Sequence, residues 1–509
     1  MMTFQLFSDV ILQTKRFDKM RTKLHHQKPL LFALLYLSVF LFYSGTLAQT
    51  WNQLGADFTG STNAEFAKSV SISADGNTVA FGQPTGGPSI GNRVLIYTLN
   101  GSNWAQKGST IISSTRGGES VSLSADGNIV CIGANQSGSN GSNSGLAQVY
   151  QYIGSNWQQM GSNILGENIG DFFGYKVKIS SDGNTFAASS PFADFNGVSD
   201  AGRVRIYTYN GTNWILKGNA INPPANRSLG RTLDMDASGN TLIISGANLT
   251  SSGAGVISVY AFNGTDWVQK GQEILGVANE GIGREVAISA DGNIIAYSAL
   301  NTSKTGQVKV FTYNGAQWTQ LGSDMDGENS NDSFGSSLSM SANGTILAIG
   351  ANGVNVQGGL QAGTVTVNQF NGVDWIQVGQ VVTGSANFDL LGSALSLSSD
   401  GNTYVVAQAP RKATAFVYRI SQPLSLDDRK FSKITLFPNP TNGSFSLSLG
   451  HQVETLNLNI FNMLGQVVLS RSYTSVERVE NLSVKDPGLY FIKISNSNGG
   501  SQTLRLLVN

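Results

Sequence analysis

The sequence predicts an all-β protein: a seven-bladed, four-stranded β-propeller followed by a small C-terminal β-sandwich. Three observations support this fold class. Tryptophan recurs seven times at intervals of 51 to 57 residues, a glycine turn recurs in step with it, and no segment has helical periodicity. Seven four-stranded units arranged radially cover one another's faces and leave only short edges. The tryptophans, which we expect to pack between strands, are Trp51, Trp104, Trp157, Trp214, Trp267, Trp318 and Trp375.

The composition limits the classes of function. The chain has 509 residues, 60 of them glycine, and only 13% are charged, against about 25% in an average protein. The 32 Lys and Arg balance the 32 Asp and Glu, so the basic surplus that binds nucleic acid is missing. Three His and one Cys cannot supply a disulfide framework or a zinc cluster to most of the chain. We therefore expect no nucleic-acid partner, no metal and no cofactor.

The first 48 residues are predicted to be a secretory signal peptide. Leu30 to Tyr43 is an uncharged apolar segment of 14 residues, shorter than the roughly 20 that a transmembrane helix needs. Basic residues precede it, and small residues follow up to Ala48, where we place the cleavage. Met20 is an alternative start, and a membrane anchor is the less favoured alternative because the segment is short.

Each repeat within residues 49–420 is expected to form four strands. The first strand alternates small polar and apolar residues, as in Ser69 to Ala74, and a glycine turn joins it to the second. A variable loop leads to the third strand, and a turn, usually Asn-Gly, leads to the fourth, which begins at the tryptophan. The first turns are Asp75-Gly76-Asn77, Asp126-Gly127-Asn128, Asp182-Gly183-Asn184, Ser238-Gly239-Asn240, Asp291-Gly292-Asn293, Asn343-Gly344-Thr345 and Asp400-Gly401-Asn402.

The ends of the array predict how the ring closes. The last repeat ends with its third strand at Phe416 to Arg419 and lacks a tryptophan strand. A spare tryptophan strand, Trp51 to Gly55, precedes the first repeat. We expect this N-terminal strand to complete the seventh blade.

The repeats resemble FG-GAP-type propeller repeats. The motifs are Phe173-Gly174 and Phe334-Gly335 before a first strand and Ile349-Gly350-Ala351 at the end of a second strand. Calcium-binding members of that family carry an Asp-rich loop between these strands. Here the loop is a short turn, so the resemblance does not extend to a calcium site.

The C-terminal part of the chain carries a second resemblance. After a polar linker, 421–433, residues 434–509 alternate in the manner of a small β-sandwich. Four motifs in this segment closely resemble the C-terminal sorting domain of the type IX secretion system of Bacteroidetes. The resemblance implies the secretion machinery as a partner, passage across the outer membrane, and a secreted or cell-surface location. The motifs are Phe437-Pro438-Asn439-Pro440, Asn442-Gly443, Met463-Leu464-Gly465-Gln466 and Pro487-Gly488-Leu489-Tyr490.

A ligand site is expected on the propeller face that carries the variable loops. The hairpin turns are uniform between repeats, whereas the other loops differ, and recognition uses variable loops on a rigid scaffold. The residues just before each first strand should surround the mouth of the central channel there. Their mixed charge and one aromatic suit a polar ligand such as a glycan, although solvated strand ends have the same composition. They are Lys68, Glu119, Tyr175, Arg231, Arg284, Ser336 and Ser393.

Two further groups depart from the repeat pattern. Lys178 and Asp234 replace Ser or Ala in adjacent blades, and we expect them to form a structural ion pair near the axis. The acidic residues Asp324, Asp326, Glu328 and Asp332 are expected to form a solvated loop rather than a calcium site, because Asn329 stands where such a loop needs glycine. Cys131 should be buried and inert.

The favoured function is a non-enzymatic, secreted or surface-displayed propeller that binds an extracellular polysaccharide or protein. One alternative is a propeller glycoside hydrolase or polysaccharide lyase that uses carboxylates and Tyr175. Another is a structural component of the cell surface or of gliding. The near-absence of His favours binding over acid–base catalysis.

Overall fold

A computed structural model of the chain describes residues 49–60, 65–85, 91–225, 227–300, 303, 305–357, 359–408, 412–421, 434–462, 466–495 and 501–509. The predicted signal peptide and residues 422–433 of the predicted linker lie outside this set. One compact unit spans Gln49–Gln422, and the described residues from 434 onwards belong to a second. All regular elements of the described residues are β-strands, as the fold class predicts.

The first unit consists of seven antiparallel sheets, one per repeat. In chain order, blade 7 begins with β1 (Trp51–Gln53) and β2 (Phe58–Thr59). Blade 1 has β3 (Ser69–Ile72), β4 (Thr78–Gln83), β5 (Arg93–Asn100), β6 (Asn103–Gln106) and β7 (Ile111–Ile112); blade 2 has β8 (Gly117–Leu123), β9 (Ile129–Ala134), β10 (Leu146–Ile153), β11 (Asn156–Gln159) and β12 (Ile164–Leu165). Blade 3 has β13 (Val177–Ile179), β14 (Thr185–Ser190), β15 (Arg203–Tyr209) and β16 (Trp214–Leu216); blade 4 has β17 (Leu233–Met235), β18 (Thr241–Gly246), β19 (Val256–Phe262), β20 (Trp267–Gln269) and β21 (Ile274–Leu275). Blade 5 has β22 (Val286–Ile288), β23 (Ile294–Ala299), β24 (Gln307–Tyr313), β25 (Trp318–Gln320) and β26 (Met325–Asp326); blade 6 has β27 (Phe334–Met340), β28 (Ile346–Ala351), β29 (Thr364–Phe370), β30 (Trp375–Gln377) and β31 (Val382–Thr383); blade 7 ends with β32 (Ala394–Leu397), β33 (Thr403–Ala407) and β34 (Thr414–Ile420).

The N-terminal strand closes the ring as predicted. Blade 7 has the strand order β1-β34-β33-β32, and Trp51 lies opposite Ile420 in the register of β1 and β34. The Leu54 N–H donates to the Val417 carbonyl at 2.7 Å. Because the first and last segments of the propeller share one sheet, the ring closes without a covalent bond.

The blades contain one element that the sequence pattern does not predict. After each tryptophan strand, the chain returns to the third strand and pairs with it over two residues, as β7 does with β5. In blade 3, the bridge between Val204 and Ile221 takes the place of this pairing. A two-residue strand is too short to produce a detectable alternation, which explains why four strands per repeat were expected.

The tryptophans join neighbouring blades. Each indole N–H donates to a backbone carbonyl of the preceding blade, so that seven equivalent bonds run around the outside of the ring. A glycine follows each tryptophan by four residues; Gly379 has φ +72°, and a Cβ there would lie 2.7 Å from Cδ1 of Trp51. The bonds are Trp51 to Val378, Trp104 to Leu54, Trp157 to Lys107, Trp214 to Met160, Trp267 to Lys217, Trp318 to Lys270 and Trp375 to Leu321, at 2.6 to 3.0 Å.

The first hairpins form a second closed ring of hydrogen bonds. Within a hairpin, the Asp75 carboxylate accepts bonds from the Ser73 hydroxyl and from the Asn77 N–H. Between hairpins, each backbone N–H donates to the next blade's carbonyl at 2.8 to 3.1 Å, in the order Ala74, Ala125, Ser181, Ala237, Ala290, Ala342, Ser399 and back to Ala74. At this end of the propeller, these backbone N–H and carbonyl groups of the first hairpins are therefore hydrogen-bonded to one another.

The second unit is a five-stranded sheet packed around its own core. Its strands are β35 (Thr435–Phe437), β36 (Ser444–Phe461), β37 (Val467–Ser483), β38 (Gly488–Ser495) and β39 (Ser501–Val508). The order is β35-β36-β38-β39, with β37 on β36. Both halves of the long strand β36 contribute to one core, for example Leu447 and Leu458, together with Ile492 and Leu506.

Candidate functional site

The first strands of the seven blades surround the propeller axis, and the loops that enter them form the channel mouth. In every blade, the residue before the mouth position has a left-handed backbone, with φ between 56° and 92°. Glycine adopts this conformation without strain, and six of the seven residues are glycine. They are Ala67, Gly118, Gly174, Gly230, Gly283, Gly335 and Gly392.

The predicted mouth residues fall into two groups. Lys68, Arg231 and Arg284 are exposed, and no side-chain hydrogen bond or ion pair engages them among the described residues. The others are engaged. Glu119 pairs with Arg116 at 2.5 Å, and Tyr175 lies half-buried beside Phe192. The hydroxyls of Ser336 and Ser393 donate to the carbonyls of Gly392 and Leu390.

The residue that follows each mouth position also lines the channel, which the sequence interpretation missed. Nζ of Lys176 lies 3.4 Å from Oε1 of Glu285, and the Thr232 hydroxyl donates to Oε2 of Glu285 at 3.4 Å. Lys176 belongs to blade 3 and Glu285 to blade 5, so this pair spans the width of blade 4. The charge of Glu285 raises the pKa of Lys176, which stays protonated.

The repeat pattern contained the signal for these residues. The equivalent positions in three other blades are Ser69, Ser120 and Ser337, and their hydroxyls bond to the backbone of the neighbouring blade at 2.7 to 3.1 Å. Lys176 and Glu285 are therefore departures from a structural serine. A comparison of the seven repeats at the residue after each mouth position would have identified Lys176 and Glu285.

Lys178 and Asp234 form the expected ion pair deeper in the channel, with Nζ and Oδ1 2.7 Å apart. Both residues line the axial cavity next to the hairpin ring. Asp234 also accepts a bond from the Ile288 N–H at 3.1 Å. The serines at this level accept the same bond from the next blade: Ser71 from Leu123, Ser122 from Ile179, Ser339 from Leu397 and Ser396 from Ile72.

The channel is consequently asymmetric. Blades 1, 2 and 6 carry serine both at the position of Lys176 and at the position of Lys178. These serines form hydrogen bonds to the backbone of a neighbouring blade. Blades 3 to 5 present Lys176, Lys178, Asp234 and Glu285 instead. Asp234 keeps the bond that serine makes to the next blade, so its negative charge, like the charges of Lys176, Lys178 and Glu285, goes beyond what that bond requires.

Aromatic side chains adjoin the charged sector. Phe172 precedes the first strand of blade 3, and Phe192 lies in the loop between its second and third strands. Phe192 is 42% exposed and lies 5.1 Å from Phe172 and 6.2 Å from Tyr175, measured between ring centroids. The three rings form what we call the aromatic platform of the mouth.

The acidic run is only partly solvated, which corrects the sequence interpretation. Asp332 is buried, at 6% exposure, and accepts a bond from the Asn329 N–H at 2.7 Å. Asp324 instead lies 3.6 Å from Lys309, and Asp326 accepts a bond from Gln307. These carboxylates serve separate partners, and no cluster of three or more His, Cys, Asp or Glu suited to a metal occurs in the described part of the chain. Cys131 is fully buried.

The fold and the comparisons with known proteins define the class of this protein. It is an all-β protein with a seven-bladed propeller, and residues 435–509 match the family described as the secretion system C-terminal sorting domain. The chain is thus exported by the type IX secretion system to the cell surface or the medium. No helix in the described residues is long and apolar enough to cross a membrane.

Two individual proteins are similar to parts of the chain. Ulvan lyase NLR42 of Nonlabens ulvanivorans is 29% identical over 90 residues, which cover 18% of this chain and 17% of that protein. The β-propeller domain of Cps50 (Swd1) from Myceliophteria thermophila aligns with 73% of this chain and all of its own at 9% identity, with a TM-score of 0.47.

Proposed function

We propose that this protein is a non-enzymatic binding module that takes up an extracellular ligand at the channel mouth. The observation that carries the proposal is the asymmetry of the channel. Serines that bond to the neighbouring blade occupy the axial positions of several blades, whereas blades 3 to 5 carry charged residues and blade 3 adds the aromatic platform with its exposed Phe192. Export supports a ligand outside the cell.

The pairing of the mouth carboxylates favours binding over hydrolysis. Glu119 is held by Arg116, and Glu285 is held by Lys176. A glycosidase needs one carboxyl group that gives up a proton and a second that acts as base or nucleophile. Carboxylates that neutralise adjacent cations are poorly suited to the first task.

A lyase is the second candidate, and the partial similarity to a named lyase motivates its test. Proton abstraction next to a carboxylate needs an unprotonated base at pH 7. Lys176 is unsuited to this because the pKa of its ammonium is raised by Glu285. Tyr175 is the residue that the sequence analysis assigns to a lyase mechanism, and the experiment below tests that role.

The test is a binding and degradation screen of the full chain against an array of extracellular polysaccharides and proteins. We expect retention on at least one polymer without release of oligosaccharides or unsaturated ends. The double variant Tyr175→Ala/Phe192→Ala should lose retention, whereas Ile376→Ala, an exposed apolar residue on β30, should keep it. Degradation that Tyr175→Phe abolishes would replace the proposal with a lyase. Absence of any binding would refute it and favour a structural surface component, which cell fractionation would detect.

A further inference from the structure

The two exposed arginines of the mouth occupy the same repeat position in adjacent blades. Arg231 enters blade 4 and Arg284 enters blade 5, each directly after a left-handed glycine. The backbone N–H of each residue bonds within its own blade, to Ser245 and to Ser298 respectively. The scaffold therefore holds the two main chains in equivalent positions and leaves both guanidinium groups at the channel mouth.

Neither guanidinium has a side-chain partner among the described residues. Two other cations of the same face are engaged: Arg116 pairs with Glu65 and Glu119, and Lys412 pairs with Asp389. An arginine fork is suited to bidentate binding of planar or tetrahedral oxyanions. The guanidinium groups of Arg231 and Arg284 at the channel mouth are thus available to bind two anionic groups.

The local charge balance adds to this preference. Lys176, Arg231 and Arg284 outnumber the neighbouring carboxylate Glu285. The other mouth carboxylate, Glu119, is paired with Arg116, and Lys178 and Asp234 neutralise each other below. Burial lowers the pKa of Arg284, Glu285 raises it, and the charge of Arg231 lowers it again. Arg231 and Arg284 stand at the same repeat position in adjacent blades, and an anion bound between two like charges relieves their repulsion.

The aromatic platform lies on blade 3, the blade next to the one that carries Arg231. Phe192 exposes 42% of its surface although it belongs to a loop with a buried neighbour, Ala193. Exposed aromatic rings provide large, rigid apolar faces for a ligand at a small cost in conformational entropy. A sugar ring has an apolar face that can stack on such a surface while its charged substituents reach sideways.

We propose that the mouth binds an anionic polysaccharide, with Arg231 and Arg284 holding its carboxylate or sulfate groups and Tyr175 and Phe192 stacking on its sugar rings. This inference rests on the proposed binding function and specifies its ligand class. Lys68 on blade 1 extends the cationic rim to the far side of the opening.

The experiment measures binding of the full chain to polygalacturonate, dextran sulfate and uncharged dextran. We expect the two anionic polymers, or one of them, to bind and dextran not to bind. Arg231→Ala/Arg284→Ala should weaken binding by at least about tenfold, and Arg231→Lys/Arg284→Lys should restore only part of it, because lysine lacks the fork. The matched control, Arg471→Ala/Arg505→Ala, changes the net charge equally at two exposed positions of the second unit and should leave the affinity unchanged.

The outcomes separate this inference from the proposed function. Binding to dextran that the arginine variant does not weaken would overturn the anionic ligand while keeping a binding module. An equal loss in the control variant would show non-specific attraction and would also overturn it. If no polymer is bound but a protein is captured at the mouth, the inference fails and the binding function stands. If nothing binds, both fail. Circular dichroism of each variant establishes that it is folded.

Discussion

The closing strand provides the most direct test of the architecture, through Trp51→Ala. The Trp51 side chain is only 3% exposed, and its ring centroid lies 4.9 Å from that of Tyr404. Its indole N–H donates to the Val378 carbonyl at 3.0 Å. Truncation of a buried aromatic to alanine costs about 3–5 kcal/mol, and we expect a loss of that size in the free energy of unfolding. Trp51→Phe keeps most of the packing and removes the donor, so its cost should be about 1–2 kcal/mol.

The assay is urea unfolding of the full chain followed by tryptophan fluorescence. All seven tryptophans lie between positions 51 and 375, so the six that remain report on the propeller alone. Ile376→Ala, at an exposed site, should change stability by less than about 0.5 kcal/mol. In parallel, hydrogen exchange should accelerate at Leu54 and Ser421, whose N–H groups donate to the Val417 and Thr50 carbonyls across the closing strand pair. A Trp51→Ala protein as stable as the control would refute closure by this strand.

Three further predictions concern the axial ion pair, a hairpin aspartate and the buried cysteine. Asp234→Ala should cost about 1–3 kcal/mol because the Ile288 N–H loses its acceptor, whereas Lys178→Met should cost less than about 1 kcal/mol because the lysine is partly exposed; equal costs in urea unfolding would contradict this reasoning. Burial raises the pKa of the Asp126 carboxyl, but hydrogen bonds from Ser124 and Asn128 outweigh it and lower the pKa below its ordinary 3.8. Its stabilisation is thus complete above that pH and is lost as the pH falls through the folded-state pKa; Asp126→Asn should reduce the loss of stability on acidification, and an unchanged acid profile would count against the turn bonds. Burial raises the pKa of the Cys131 thiol, so a thiol reagent at pH 8 should label the protein only after unfolding, and rapid labelling of the native protein would contradict the buried site.

Much of the propeller could be predicted because its repeat appears directly in the sequence. The tryptophan register gave the blade number, and the unpaired Trp51 strand gave the closure. The two rings of inter-blade bonds could not be predicted, because they join backbone groups whose positions depend on how the blades pack. The short return strand after each tryptophan was also missed, since two residues cannot show a period.

The ligand site at the mouth stays a prediction, and the residues named for it stand one position before Lys176 and Glu285, which also line the channel. The repeat pattern does not fix the boundary between the entering loop and the first strand, so the sequence interpretation took one residue per blade where two adjacent residues reach the channel. Lys176 and Glu285 were overlooked for this reason, while Arg231 and Arg284 were identified at the rim. Phe192 lies in a loop whose approach to Tyr175 depends on the fold, and no sequence period reveals it.

The central claim is that the ligand binds at the channel mouth of blades 3 to 5. The most direct measurement is hydrogen exchange of the full chain with and without polygalacturonate or dextran sulfate, with dextran as the neutral reference. The account predicts protection in segments 172–178, 229–235 and 283–288, and unchanged exchange in the hairpins at 74–77 and 125–128. Protection confined to the hairpins or to residues 435–509 would contradict it.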